Sequence, residues 1–166
     1  MRPERKELRL NEYDYSSPGC YFITVCTRGR QSLFWSGDHV ETHHVGATLG
    51  RPQLSPVGLL VEEEIQRIPQ VYPHVTVDKY VIMPNHIHLI LVIHPNDTAG
   101  GRSGTAPTVS TILQQTKGRA SRRAGFSLWQ KSFHDHVIRG RADYEEIWQY
   151  IHNNPLKWKL DCYYEE

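Results

Sequence analysis

The chain has 166 residues, 39% of them hydrophobic, and a formal net charge of only +1, which fits a single domain over residues 1–166 with a core that needs no disulfide or metal staple. Its three cysteines show no C-x-x-C spacing, which argues against a disulfide scaffold or a thiolate zinc site and favours a reducing compartment. The N-terminal residues lack an apolar signal core, and no apolar stretch approaches the length of a membrane span, so we expect a soluble cytoplasmic protein without a membrane partner.

The first half of the chain predicts a strand, a long connection and a helix. Residues 19–27 are rich in aromatic and β-branched side chains and form the first predicted strand. Residues 29–54 have no clear period and are predicted to be an irregular connection. Its histidines could form a second metal site, but without ligand spacing we interpret them as solvated: His39, His43 and His44. Ser55 is a predicted N-cap before a proline, and the helix that follows should end near Pro69.

The next segments predict a hairpin, a second helix and a fourth strand. Residues 75–83 form a strand that a Pro-Asn turn connects to a histidine-containing strand. Residues 96–107 are rich in Gly, Ser and Thr and predict a mobile loop. Thr108 should cap a helix whose inward positions are Val109, Ile112, Leu113 and Thr116, and residues 133–139 alternate as a strand. This order predicts an α+β, ferredoxin-like βαββαβ fold, an antiparallel sheet with helices on one face.

An additional helix is predicted near the C-terminus. Asp143 is a candidate N-cap with Glu146 three residues on, and Pro155 ends the helix. Tyr150 and Asn154 are spaced i, i+4 and therefore share one face. On its own, this segment could equally be an amphipathic helix that only packs its apolar side chains inward.

The strand within residues 80–93 contains a His-x-His pair. Residues i and i+2 of a strand point to the same face, so His86 and His88 can direct both imidazoles at one divalent metal ion. The alternative is a polar layer in which the two rings only make hydrogen bonds.

Two motifs together resemble a known family. Met-Pro-Asn-His-Ile-His-Leu at 83–89 is similar to the His-hydrophobic-His motif of the HUH single-tyrosine transposases, and Tyr-Ile-x-x-Asn-Pro at 150–155 resembles the nucleophile helix of their REP-associated branch. The resemblance covers about residues 14–155, apart from the two loops. It implies a metal-dependent enzyme that cuts and joins single-stranded DNA at palindromic hairpins through a 5′-phosphotyrosine, in the cytoplasm and on the nucleoid when bound to DNA.

The same resemblance assigns roles to individual residues. Tyr150 would be the nucleophile, and Mg²⁺ or Mn²⁺ would be bound by His86, His88 and Asn154. Basic side chains suit a groove for single-stranded or hairpin DNA, and the predicted DNA-binding residues are Lys117, Arg119, Arg122, Arg123, His136 and Arg139. The family includes dimers that exchange tyrosine helices and monomers that act in cis, so the sequence leaves a monomer or a homodimer open.

Three alternatives are weighed against this interpretation. His134 and His136 form a second His-x-His pair, but His136 matches a recurrent family position that is not a metal ligand, so a structural or DNA-contacting role is favoured. A domesticated hairpin-binding protein without turnover would retain the fold alone. A small metal-dependent hydrolase is disfavoured because no acidic cluster surrounds the histidines.

Overall fold

The computed structural model describes residues 17–36, 53–95 and 107–164. Its regular elements, in chain order, are β1 (Gly19–Cys26), α1 (Pro56–Val71), β2 (Val75–Ile82), β3 (His86–Ile93), α2 (Val109–Ala124), β4 (His134–Ile138) and α3 (Arg141–Asn153). Short 3₁₀ segments span Arg28–Arg30 and Asn154–Leu160. The four strands form one antiparallel sheet in the order β2-β3-β1-β4. The predicted α+β class and βαββαβ order are confirmed.

Some sequence predictions fall on other parts of the chain. The histidines at 39, 43 and 44, the predicted loop from residue 96 to residue 106 and the family-like opening at 14–15 lie outside the described residues. Within the described ranges, none of the helices combines the length and the apolar character needed to cross a membrane.

Helices cover both faces of the sheet, so side chains on both sides of β3 are buried. This explains why the sequence of β3 is almost continuously apolar. Its alternate residues Ile87, Leu89 and Leu91 join the larger core with side chains of α1 and α2. The opposite face carries His86, His88 and Ile90, and Ile90 packs with Ile151 of α3. The helices α1 and α2 therefore share one face, as expected, and α3 covers the other.

The starts of α1 and α2 follow the predicted capping chemistry. Ser55 accepts a hydrogen bond from the backbone N–H of Gly58 at 3.0 Å, and Thr108 accepts one from Thr111 at 3.2 Å. Gly58 also permits close packing, since a Cβ there would lie 2.2 Å from the backbone oxygen of Phe34. The helix α1 continues to Val71, two residues past the predicted end at Pro69.

The predicted start of α3 was wrong. Gly140, at φ 86°, is the N-cap, and Asp143 is the third helical residue. A positive φ is easy for glycine, so the chain can turn directly from β4 into the helix. The Asp143 carboxylate instead reaches back to accept the backbone N–H of Arg139 at 2.8 Å, which provides a hydrogen-bond partner just before the helix.

Candidate metal and nucleophile site

The two histidines of β3 lie at the centre of the sheet, on the face covered by α3. His86 and His88 are spaced by one residue, and both are almost fully buried. Their Nε2 atoms are 3.0 Å apart, so the rings converge on one point instead of diverging into separate contacts. The structure thus brings together the pair that strand geometry predicted.

Neighbouring polar groups orient both rings through their other nitrogens. The Asn85 side-chain nitrogen donates to two backbone carbonyls, so its oxygen is the atom that faces His86 Nδ1 at 2.8 Å. Because an amide oxygen only accepts, His86 Nδ1 carries the proton and Nε2 presents a lone pair. His88 Nδ1 lies 2.8 Å from the Thr24 hydroxyl on β1. Such outer contacts are typical of metal-binding histidines.

Burial keeps these imidazoles neutral. It lowers the pKa of His86 to about 4, with a smaller raising effect from Asp161 and a lowering effect from Arg30. Burial, followed by the charge of His86, also lowers the pKa of His88 well below its usual value. Both rings are therefore neutral near pH 7, and the neutral form is the one that coordinates metals.

Tyr150 comes from α3 and faces the same point. Its hydroxyl lies 3.5 Å from Nε2 of His88, and its ring packs edge-on against Phe22 and His88. The side chain is 43% exposed, so the hydroxyl is partly open to solvent. Burial raises the pKa of Tyr150, as do the charges of Asp161 and Cys162, while Asn154 lowers it. Near pH 7 the group is a phenol.

The segment after α3 supplies a residue that the sequence analysis missed. Asp161 follows the second 3₁₀ segment, and its Oδ2 lies 3.7 Å from His86 Nε2 without a hydrogen bond in the described part of the chain. Candidate ligand atoms of His86, His88 and Asp161 all lie within 4.8 Å of one another. The available sequence signal was weak: Asp161 is the only acidic residue between positions 147 and 164.

Asn154, the predicted third ligand, is also buried beside the site. It directly follows α3, and its side-chain nitrogen has no hydrogen-bond partner among the described residues. The donor set of two neutral imidazole nitrogens and an unpaired carboxylate oxygen fits a divalent metal ion. The residues present thus suit the metal that the family resemblance implies.

Aromatic rings enclose the histidines. The ring of Tyr163 lies 4.5 Å from that of His86, and the ring of Trp158 lies 5.8 Å from it. Asn85 fixes this segment by donating to the Tyr163 carbonyl at 2.8 Å, and the Arg30 guanidinium lies over the Tyr163 ring. The site is therefore shielded from water, which strengthens electrostatic interactions inside it.

The competing His-x-His pair has a different environment. His134 and His136 lie on the edge strand β4 and are exposed, and Nε2 of His136 is 2.9 Å from Asp143. Within the described ranges, the group of His86, His88 and Asp161 is the one set of three His, Cys, Asp or Glu residues with converging ligand atoms.

The structure does not bring the α2 basic residues to this site. Helix α2 packs on the opposite face of the sheet, where Arg119 and Arg123 both pair with the buried Glu64 of α1 at 2.9 Å. Lys117 donates to the backbone carbonyls of Gln130 and Lys131, and burial lowers its pKa. Arg122 is exposed, as are His136 and Arg139 beside the start of α3. DNA binding by all six residues remains a prediction.

Comparison with known proteins finds relatives that cover most of the chain. No family model matches the chain. A Haemophilus influenzae protein described as uncharacterized is 32% identical over 177 residues, covering 96% of this chain and 93% of that protein. The Escherichia coli REP-associated tyrosine transposase is 23% identical over 151 residues, covering 89% of this chain and 74% of the relative.

A solved structure shares the fold. A REP-associated tyrosine transposase bound to a REP hairpin superimposes with a TM-score of 0.60 at 22% identity, covering 90% of this chain and 74% of the other. The relatives support an enzymatic role in DNA processing. By sequence similarity the chain is thus a homologue of proteins named REP-associated tyrosine transposases, and it shares their fold.

Proposed function

We propose that the protein is a metal-dependent single-stranded DNA endonuclease and strand transferase that forms a 5′-phosphotyrosine intermediate at palindromic, REP-like hairpins. One observation carries the proposal: the Tyr150 hydroxyl lies 3.5 Å from the same His88 nitrogen that converges with His86. A nucleophile and two metal-ligating imidazoles therefore meet at one point. The solved relative bound to a REP hairpin supports the choice of DNA.

The reaction is a transesterification. The Tyr150 oxygen forms a bond to the scissile phosphorus as its proton leaves, and the bond from phosphorus to the 3′-oxygen breaks. The 3′-oxygen gains a proton and becomes a free hydroxyl. Because one phosphodiester replaces another, the reverse attack by a 3′-hydroxyl can rejoin strands.

Because the pKa of Tyr150 is raised, its hydroxyl is a phenol and a weak nucleophile near pH 7. Its attack on the phosphate therefore depends on help from neighbouring groups. A bound Mg²⁺ or Mn²⁺ would polarise the phosphoryl group and stabilise charge on the leaving oxygen. His86 and His88 would hold the ion, while Asn154 and Asp161 are the candidates for the third protein ligand. The enclosing aromatic rings of the last segment exclude water from the histidines.

The proposed path of the DNA runs along the exposed basic residues. His136 and Arg139 precede the helix that carries Tyr150, and Arg122 is exposed on α2. Lys117, Arg119 and Arg123 also hold protein contacts, so they have fewer free donors for phosphate. A nucleophile that reaches its own chain's histidine favours action in cis, by a monomer in the cytoplasm and on the nucleoid.

The test is incubation of the full chain with a labelled single-stranded hairpin and Mn²⁺, followed by a denaturing gel. The proposal expects a labelled covalent adduct that disappears with a chelator. Hairpin binding without an adduct under any metal would instead support the domesticated hairpin-binding protein.

A further inference from the structure

We propose that Arg30 binds a backbone phosphate of the DNA strand, one nucleotide away from the scissile phosphate. This inference rests on the proposed function because it names a contact that would hold the substrate strand at the same site. Arg30 lies in the short 3₁₀ segment after β1 and is not among the residues that the sequence suggested for DNA binding.

The guanidinium of Arg30 lies beside the metal-binding histidines. Its Cζ atom is over the ring of Tyr163, 5.5 Å from the ring centroid, and the Tyr163 ring lies 4.5 Å from the ring of His86. Four of the six DNA-binding candidates from the sequence are instead on α2, which packs on the opposite face of the sheet. Arg30 therefore places positive charge where those four residues do not.

The charge of Arg30 also acts on groups of the site. Burial is the main cause that lowers the pKa of His86 to about 4, Asp161 opposes this shift, and the charge of Arg30 adds to it. Burial raises the pKa of Cys162, as Asp161 does, whereas the charge of Arg30 lowers it. A cation that acts on these groups also attracts the anionic backbone of an entering DNA strand.

The backbone of Arg30 is held in a conformation that disfavours an arginine. Its φ is 53°, the one positive φ of a residue other than glycine within the described ranges. Its N–H donates to the Thr27 carbonyl at 3.1 Å, and its own carbonyl accepts from the Asn85 side chain at 3.3 Å. Because Asn85 also orients His86, one side chain fixes the position of both the cation and a metal ligand. Strain that is held in this way is typical of functional sites.

A role in the turn alone explains Arg30 less well. Glycine or asparagine adopts the left-handed conformation with less strain, as the neighbouring Gly29 does at φ 63°. Arg30 is exposed, and a cation–π contact at an exposed position stabilises a fold only weakly. The face of a guanidinium can stack on an aromatic ring while its edge donates two hydrogen bonds to one phosphate. This chemistry suits a nucleic-acid backbone.

The position of Arg30 selects the phosphate. Its guanidinium reaches His86 through the ring of Tyr163. The phosphate at the histidines would be polarised by the metal, so the phosphate for Arg30 is the next one along the strand. Two cations would then hold successive phosphates and fix the scissile bond relative to Tyr150.

The experiment is an anisotropy titration of the full chain, with Mn²⁺ present, against labelled hairpins that carry a single-stranded flank. Every chain carries Tyr150→Phe, so that binding is measured without cleavage. Each hairpin has one neutral methylphosphonate in place of a phosphate, at successive positions of the flank. Loss of a hydrogen bond to a charged group should weaken the affinity of this reference chain about ten-fold at one position.

Arg30→Asn should lose about as much affinity on the unmodified hairpin and nothing further at that position. Its slope of log affinity against log salt should fall by roughly 0.7. Arg30→Lys keeps the charge without the forked donors and should recover part of the affinity. Arg28 is exposed in the same 3₁₀ segment and is the matched control, so Arg28→Asn should stay within about two-fold of the reference chain.

Asparagine tolerates the left-handed conformation, so Arg30→Asn should keep the stability in urea and the Mn²⁺ affinity of the reference chain. A drop in either would show that Arg30 supports the fold, and would overturn the proposed contact. Equal affinity of the reference chain for all hairpins, or a position-specific loss that persists in Arg30→Asn, would also overturn it.

Cleavage by the chain with Tyr150 intact locates the cut, and the sensitive position should be next to it. A sensitive position elsewhere on the flank would overturn the placement beside the scissile phosphate. If no metal supports cleavage, the endonuclease of the proposed function fails, while the methylphosphonate titrations still decide whether Arg30 binds a phosphate.

Discussion

The Tyr150 hydroxyl and Nε2 of His88 lie 3.5 Å apart within a single chain. The sheet fixes His88 through Thr24 on the neighbouring strand, and α3 fixes Tyr150 through Ile151, which packs on the same sheet face. Both groups are therefore held by regular elements, which position reacting atoms more rigidly than loops do. The proposed nucleophile and the proposed metal ligands of one chain thus lie together.

Replacing Tyr150 with Phe should abolish the covalent DNA adduct while leaving hairpin affinity nearly unchanged, because only the attacking oxygen is removed. Since the side chain is partly exposed, the free energy of unfolding should change by less than about 1 kcal/mol. The adduct is measured on a denaturing gel and the stability by urea titration. An undiminished adduct would move the nucleophile elsewhere, with Tyr144, which donates to Asp78, and Tyr163 as candidates.

Removing an imidazole should distinguish the two His-x-His pairs. His88→Ala should abolish measurable Mn²⁺ binding and chelator-sensitive cleavage, whereas His134→Ala should retain both, because His134 is exposed on the edge strand. Calorimetry provides the affinity without DNA. Loss of binding in His134→Ala alone would show that the metal occupies the other pair.

The pH dependence of stability follows from the depressed histidine pKa values. An unfolded imidazole titrates near 6.5, while burial lowers the pKa of His86 to about 4. As the pH falls through this window, the unfolded state binds more protons, so the free energy of unfolding decreases. The full shift at His86 corresponds to about 3 kcal/mol.

This loss should develop as the pH falls from about 6.5 to about 4 in urea titrations with a chelator present, and His88 should add to it in the same direction. His86→Gln, which cannot titrate, should give a shallower dependence. An equally steep profile in that variant would assign the effect to other groups. Below pH 4.5 the paired carboxylate Glu64, whose pKa is lowered, adds a further loss.

Much of this architecture could be predicted from local rules. Strand parity identified the shared face of His86 and His88, and capping residues located the starts of α1 and α2. The position of Asp161 could not be predicted, because the segment after Pro155 has no periodic pattern of apolar residues. Its position depends on contacts with residues far away in the sequence, such as the hydrogen bond from Asn85 to Tyr163. Asp143 was misassigned because the backbone of Gly140, and not an acidic side chain, determines the turn into α3.

The ion pairs between α1 and α2 predict that two neighbouring acids, Glu63 and Glu64, contribute very differently to the free energy of unfolding. Glu64 is buried and accepts from both Arg119 and Arg123, whereas Glu63 is exposed. Removing one partner of a buried pair leaves uncompensated charge, so Glu64→Gln should lower the free energy of unfolding by about 3 kcal/mol. Glu63→Gln should cost less than about 1 kcal/mol. Equal effects in urea titrations would show that the network contributes little.

The same network changes which arginines should bind DNA. A phosphate contact releases counterions, so each lost contact should reduce the slope of log affinity against log salt by about one unit. Arg139 is exposed just before the helix of Tyr150, and its backbone is fixed by Asp143, so Arg139→Ala should flatten the slope by about that unit. Arg119 is held by Glu64 on the opposite face of the sheet, so Arg119→Ala should instead lower stability and leave the slope of the folded protein unchanged.

Hairpin titrations at several salt concentrations, with folding checked by circular dichroism, measure both effects. A flattened slope in Arg119→Ala with no change in Arg139→Ala would place the DNA along α2, on the face away from Tyr150.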